Sequence, residues 1–304
     1  MSSPHPASPQ ARQQVALGVI GGSGLYAMPG LEDVERVEVE TPFGAPSGPL
    51  TVGRLPRADG RAPVRAVFLP RHGEGHTILP GELNPRANMH ALKQLGVTHV
   101  LSVSAVGSLR EEIAPGHVVV PTQFIDRTKG RPATFFGDGV VAHVQFGDPV
   151  DPGLSSLLHS ALAGEEVAVH GDKTMVVMEG PAFSTRAESQ LYRSWGADII
   201  GMTALPEAKL AREAELAYAV LATSTDYDCW HDEEDQVSVE AVLAVLRANV
   251  ALAQRAVRTV ASMLPERVDD LPYPRALEHA IMTAPDKIPA HRRAQLDLIM
   301  GHYL

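Results

Sequence analysis

Leu216-Ala-Tyr-Ala-Val-Leu-Ala-Thr-Ser-Thr-Asp226-Tyr-Asp228-Cys-Trp230 is an apolar run that empties into two carboxylates two residues apart. Such a run reads as a buried strand of an α/β sheet. Strand side chains alternate faces, so Asp226 and Asp228 project to the same side, at the strand end where α/β sheets place ligands. Paired acceptors held that way suit a flat heterocycle carrying N–H donors, such as an aminopurine. An acidic turn that merely closes a strand satisfies the same two residues, so the neighbouring strand ends have to discriminate.

Outward from this stretch the pattern is strand, loop, helix, repeated. Residues 15–20 form a short apolar strand that opens into Gly21-Gly-Ser-Gly-Leu25. Residues 34–40 and 50–55 read as half-exposed antiparallel strands, and 64–69 as a buried strand ending at Pro70-Arg71-His72. Helical periodicity runs over 84–95 and stops at Gly96. Further strands are expected at 97–105, 118–121, 173–178 and 199–202, with loop-rich chain between the second and third of these. Helices are expected over 184–195, 205–214 and 237–264. Alternation of this kind predicts an α/β fold, a mainly parallel central sheet flanked by helices. No composition break or internal repeat divides it. We expect a disordered tail over 1–14, one domain over 15–264, and a C-terminal helical extension over 265–304 packed on that domain.

Composition removes several function classes. The 304 residues are 44% hydrophobic and 20% charged, with a net charge of −10. That fits an ordinary soluble protein, and scattered Lys and Arg give no basic surface for nucleic acid or an anionic membrane. A single cysteine, Cys229, rules out an internal disulfide framework and a cysteine-rich metal site, and favours a cytoplasmic location. Residues 1–14 lack the apolar core of a signal peptide, and no uncharged apolar stretch is long enough to span a bilayer.

Four strand ends carry chemistry. The amides of Gly21-Gly-Ser-Gly24 can cradle an anion, with Ser23 adding a hydroxyl. Gly22-Ser-Gly24-Leu-Tyr-Ala27 also matches a dinucleotide-binding pattern. That pattern requires a helix directly after the glycines, and Met28-Pro29-Gly30 leaves no room for one. A plain tight turn stays open. Arg71 can grip an oxyanion and His72 can hydrogen-bond beside it, unless the pair is simply solvated. His72, Glu74 and His76 do not form a zinc helix, because Gly73 and Gly75 discourage helix and the spacing is wrong. Ser104 with the amide of Ala105, and Thr203 beside Met202, end two more strands, although such hydroxyls usually just cap a helix. Together Ser23, Arg71, His72, Ser104, Ala105 and Thr203 describe a cage for free phosphate. There is neither a Walker lysine nor a carboxylate set for a metal. Phe183 offers a face for stacking on a base or else fills core, and Ser184 is placed to cap the next helix. The acidic run 231–235 reads as a solvated loop and helix start.

The ordered segments Gly21-Gly-Ser-Gly-Leu25, Pro70-Arg-His-Gly73, Asn84-Pro-Arg-Ala-Asn88, Ala105-Val-Gly-Ser-Leu-Arg110, Glu179-Gly-Pro-Ala-Phe-Ser184, Met202-Thr-Ala-Leu-Pro-Glu207 and Thr225-Asp-Tyr-Asp-Cys-Trp230 resemble the trimeric purine nucleoside phosphorylases. Within that family the likeness is greatest to members acting on methylthioadenosine, and it runs from about residue 15 to 264. The resemblance implies a nucleoside phosphorylase fold, a homotrimer or dimer of trimers, and no cofactor beyond inorganic phosphate as co-substrate. It implies phosphate on the six cage residues, and ribose and base on Met202 and Phe183. Asp226 would hold the purine 6-amino group, and Asp228 would share or donate a proton toward N7. Ser184, Val239 and Val242 would shape specificity, with His143 reaching the 5′ side of a neighbouring subunit's site. The products would be adenine and 5-methylthioribose 1-phosphate. Phosphorylases for methylthioinosine or 6-oxopurine nucleosides, and a non-catalytic nucleoside sensor of the same fold, are the alternatives.

Overall fold

The computed structural model describes residues 14–22, 24–25, 27–231, 239–268 and 275–304, and side chains are described from 248 onward in the helix that begins at 239. The apolar run becomes strand β9 (Ala217–Asp226), whose first eight residues are buried. Its alternation splits it between two cores. Tyr218, Val220 and Ala222 face one hydrophobic cluster, and Ala217, Ala219 and Leu221 face the other. A strand buried on both faces has no polar side to spend, which is why the sequence reads as nearly continuous apolar residues.

Strand β9 pairs in parallel with β5 (His99–Ser108), from His99↔Ala217 to Gly107↔Asp226. Strand β1 (Ala16–Gly21) lies parallel between β5 and β4 (Val64–Pro70). Strands β3 (Leu50–Leu55) and β2 (Glu32–Val37) extend this wing antiparallel. On the other side come β8 (Ile199–Gly201), β7 (Val169–Met178) and β6 (Val118–Arg127), and β6 turns back to pair with β9. The pairings β5–β8–β7–β6–β9–β5 therefore close on themselves, and an open wing continues from β1 to β2. The sheet is mixed, with its central pairs parallel. Closure gathers the ends of β5, β8 and β9 around one mouth, next to the ends of β1 and β4.

Helices cover both faces. Helix α1 (Pro85–Gln94) is capped by Asn84, whose side chain accepts from the Ala87 amide at 3.1 Å. It packs with α4 (Ala204–Glu213) over the Tyr218 face. Helix α2 (Pro152–Leu162) and helix α5 (Val239–Met263) cover the Leu221 face. Helix α3 (Arg186–Ser194) carries a capping box, in which Thr185 and Glu188 satisfy each other's backbone amides. None of the described helices is long and apolar enough to cross a membrane.

Several local expectations differ from the structure. Strands β5, β6 and β7 run beyond the expected 97–105, 118–121 and 173–178, so Ser104 and Ala105 lie inside β5 rather than at its end. Helix α2 lies in the stretch read as loop-rich. Asp151 caps it by accepting from the Leu154 amide at 2.7 Å, and Leu154, Leu158, Ala161 and Leu162 are its buried stripe. The Pro-Gly start and three serines lower its intrinsic propensity, and the cap plus this stripe override it. Strand β2 starts and ends earlier than 34–40, with Val34 57% exposed, because its register is set by β3 rather than by an apolar face. Thr185, not Ser184, caps α3. The tail expected over 1–14 lies outside the described residues up to 13, as do 232–235 and 269–274.

The C-terminal segment adds α6 (Ala290–Gln295) and α7 (Asp297–Met300), and Leu296, Ile299 and Met300 join the α1–α4 cluster. Two buried carboxylates at the end of α4 hold its surroundings together. Glu215 accepts from the Leu277 amide at 3.0 Å and the Tyr303 hydroxyl at 2.6 Å. Glu213 accepts from the Thr134 hydroxyl and the Phe135 amide, both at 2.7 Å. Burial pushes the Glu213 carboxyl up to about 7. The folded state thus binds this proton more tightly than the unfolded state does. The site costs nothing below the ordinary glutamate range, and the cost grows as pH rises until it levels off above about 7. Glu213→Gln should therefore gain stability relative to the native chain between pH 5 and 8, by on the order of 3 kcal/mol at the upper end. Urea denaturation of both proteins across that range checks it, and parallel curves would contradict it.

Candidate active site

The gathered strand ends open into one cavity of about 670 Å³. A cavity of that size holds a nucleoside together with a small anion. One end is built from Gly22 after β1, Arg71 and His72 after β4, Ser104 and Ala105 on β5, and Thr203 at the start of α4, all of which line it. The Ser104 and Thr203 hydroxyls lie 3.3 Å apart, so two donors converge on one point. Ser23 falls outside the described residues, and no helix follows the glycines among the described residues before β2. That agrees with rejecting a dinucleotide turn.

Arg71 is buried, and most of its guanidinium faces inward. Its Nε donates to Glu207 at 2.6 Å, and Nη2 donates to Ser102 Oγ at 2.6 Å and to Glu207 at 3.3 Å. Nη1 gives one hydrogen to the Val103 carbonyl at 2.9 Å. One Nη1 hydrogen is left for a ligand, so a bidentate grip on an oxyanion is not what this arginine offers. Glu207 also accepts from Ser102 Oγ at 2.9 Å and from Tyr218 Oη at 3.1 Å. This buried Arg–Glu–Tyr–Ser network was not assigned from sequence. Its signal was a lone carboxylate in the apolar stretch Ala204-Leu-Pro-Glu-Ala208, which requires a partner once buried.

His72 places Nδ1 2.8 Å from the Ile78 carbonyl, which fixes the proton on Nδ1 and leaves Nε2 as an acceptor. Burial pushes this imidazole below its ordinary range, and the nearby Arg71 and His76 add to the effect, so it is neutral at pH 7. Its ring stacks on His76 at 4.4 Å.

The opposite end is the aspartate pair. The end of β9 and the turn after it bring the Asp226 carboxylate and the Asp228 side chain over Gly107 of β5. A Cβ at position 107 would meet Asp226 Oδ1 at 3.1 Å and Asp228 Cβ at 3.5 Å. Asp226 accepts from the Thr225 hydroxyl at 2.7 Å. Asp228 Oδ2 is buried without a hydrogen-bond partner among the described residues. The turn is pinned beyond it, where Trp230 Nε1 donates to the Ser108 carbonyl at 2.8 Å and the Arg193 guanidinium lies 3.5 Å over the indole. Gly107→Ala should crowd an Ile200 methyl at 3.0 Å and displace the exposed Asp226 carboxylate while the fold stands. We expect kcat/KM to fall by about tenfold or more with a melting temperature within a few degrees of native. Full activity would show that the pair does not need this close approach.

Between the two ends, Met202 lines the cavity, its sulfur so close to Gly180 that a Cβ there would meet it at 2.6 Å. Arg131 holds it by donating to the Met202 carbonyl at 2.6 Å and to Glu179 at 3.0 Å. Phe183 lines the mouth and is 83% exposed, so it is not core. Ser184 is buried beside the cavity without lining it; its hydroxyl sits 3.6 Å from the Met178 sulfur, and its carbonyl accepts from the Cys229 thiol at 3.2 Å. Val239 and Val242 lie on α5, where their side chains are outside the described residues, and Asn249, Val250 and Ala253 line the cavity further along the same helix. His143 is on the surface, away from this chain's own cavity, with its amide donating to the Ala280 carbonyl at 2.9 Å.

A family model of the phosphorylase superfamily matches residues 16–262. The chain belongs to that superfamily. It is 56% identical over 289 residues to the S-methyl-5′-thioadenosine phosphorylase of Geobacter sulfurreducens, covering 95% of this chain and 99% of that one. It is 47% identical to the protein of the same name from Rhodospirillum rubrum, covering 97% of this phosphorylase and 99% of the relative. Among solved structures, a methylthioadenosine phosphorylase from an Antarctic soil metagenome superposes with a TM-score of 0.86 at 43% identity, covering 95% and 99% of the two chains. The Schistosoma mansoni methylthioadenosine phosphorylase in complex with adenine superposes with a TM-score of 0.76 at 35% identity, again over 95% and 99%.

Proposed function

We propose that this phosphorylase cleaves S-methyl-5′-thioadenosine with inorganic phosphate, giving adenine and 5-methylthioribose 1-phosphate. The observation that carries the reading is the polarity of the cavity. Asp226 and Asp228 line one end beside Gly107, and hydroxyls, backbone amides and one free arginine hydrogen meet at the other. The first set offers carboxyl oxygens, and the second is mostly hydrogen-bond donors. An aminopurine fits the first and an oxyanion the second.

The chemistry follows from that polarity. Breaking the N-glycosidic bond leaves positive charge on the sugar and negative charge on the purine. Asp226 accepts from the 6-amino group. Asp228, whose Oδ2 has no hydrogen-bond partner among the described residues, shares or donates a proton toward N7 and so stabilises the leaving group. Ser104, Ala105 and Thr203, with Ser23 and the Arg71 hydrogen, hold phosphate against C1′, where its charge also offsets the sugar cation. A neutral His72 accepts the hydrogen of a monoprotonated phosphate at Nε2. Met202 and Phe183 supply apolar surface to the ribose and base. Val239 and Val242 wall the 5′ group, and Ser184 sets the space beside the base from behind.

No metal or redox cofactor is needed for this reaction. The exposed Phe183 and the surface position of His143 support a homotrimer or dimer of trimers, in which His143 of one copy closes the 5′ side of the next. The lone reduced cysteine supports a cytoplasmic enzyme. Methylthioadenosine, adenosine, methylthioinosine and inosine, each assayed with and without phosphate, test the substrate. Turnover should be highest for methylthioadenosine and should require phosphate. A preference for the 6-oxopurines would favour the alternative substrates instead.

A further inference from the structure

We propose that Asn249 on α5 is a further phosphate-binding residue, its side-chain amide donating to the oxyanion at the glycine-loop end of the cavity. Asn249 is 8% exposed and lines the cavity, and its Nδ2 has no hydrogen-bond partner among the described residues. A buried amide left unpaired is costly, and an apolar side chain of the same size would be cheaper there. The neighbours make the point sharper. Val250 and Ala253 line the same wall with apolar surface, so a leucine at 249 would extend that wall.

The stripe of α5 next to Asn249, carried by Val250 and Gln254, seats the glycine loop. A Cβ on Gly24 would meet Val250 Cγ1 at 2.9 Å, and Gln254 donates to the Gly24 carbonyl at 2.7 Å. Asn249 therefore stands beside the loop, away from the Gly107 end where the carboxylates gather. Arg71 itself adds little at the oxyanion end, because Glu207, Ser102 and Val103 take all but one of its hydrogens. A neutral amide fills that gap without adding charge.

This assignment rests on phosphate being the co-substrate. The test is steady-state kinetics of Asn249→Leu and Asn249→Asp with methylthioadenosine and inorganic phosphate, together with melting curves without phosphate. KM for phosphate should rise by about tenfold or more in Asn249→Leu, and further in Asn249→Asp, with KM for the nucleoside within about twofold. Without phosphate, Asn249→Leu should melt no lower than the native chain, an outcome that a merely structural asparagine would not give. A phosphate KM that rises less than about fivefold, or a change confined to the nucleoside KM, overturns the proposal. If Asn249→Leu does not fold, Asn249→Ser carries the same readouts. Absence of phosphate-dependent turnover in the native chain would instead defeat the reaction itself.

Discussion

Asp228→Asn should lower kcat/KM for methylthioadenosine by about a hundredfold, equivalent to about 2.7 kcal/mol of transition-state stabilisation. Asp228 Oδ2 is buried with no partner among the described residues, so its hydrogen-bonding capacity is left to the ligand. An asparagine of the same shape presents an amide donor in its place. The amide can hydrogen-bond N7 but cannot transfer a proton to it, so the charge of the leaving purine is less well neutralised. The same amide can pair with a ring acceptor in an oxopurine, so the ratio of inosine-type to adenosine-type turnover should rise. Two measurements check it: kcat/KM on methylthioadenosine and on methylthioinosine, in both proteins. An unchanged ratio would mean that the aspartate pair does not read the base.

Removing Glu207 should have the largest effect on stability. Arg71 and Glu207 have side-chain exposures of 3% and 5%, so each charge depends on the other. Taking away one partner of a buried pair typically costs about 3–5 kcal/mol, because the survivor stays uncompensated. Glu207→Leu also strips the acceptor from Ser102 and Tyr218. Its urea midpoint should drop sharply. In the double variant Arg71→Met/Glu207→Leu most of that loss should return, since no lone charge remains, while turnover stays low because the cage has lost its arginine hydrogen. A single variant as stable as the native chain would show that water compensates Arg71.

The strand ends were legible because each lies at a change of residue type, from an apolar run to Arg71-His72 or to Asp226-Tyr-Asp228. A strand buried on both faces tolerates small polar residues such as Ser102 and Ser224, while Arg71 and Asp226 fall where their strands end. What stayed hidden depends on pairing across the fold. The closed ring of strands arises from β6 returning to β9, a contact between residues about a hundred positions apart in sequence. No local pattern records it. Glu207 and Tyr218 look unremarkable until β9, β5 and α4 bring them to Arg71. Helix α2 was masked by residues of poor helix propensity that a cap and a buried stripe outweigh. Asn249 sits in a long amphipathic helix, where one polar residue on the buried face is indistinguishable from a solvated one until the cavity beside it is seen.

The most direct measurement is ³¹P NMR of the purified protein with methylthioadenosine and inorganic phosphate, alongside adenine release. We expect a sugar 1-phosphate resonance to grow in step with free adenine, and both to stop when phosphate is withheld. Adenine released equally without phosphate, or a nucleoside that raises the melting temperature yet is never cleaved, would contradict the phosphorolysis assigned to this cavity.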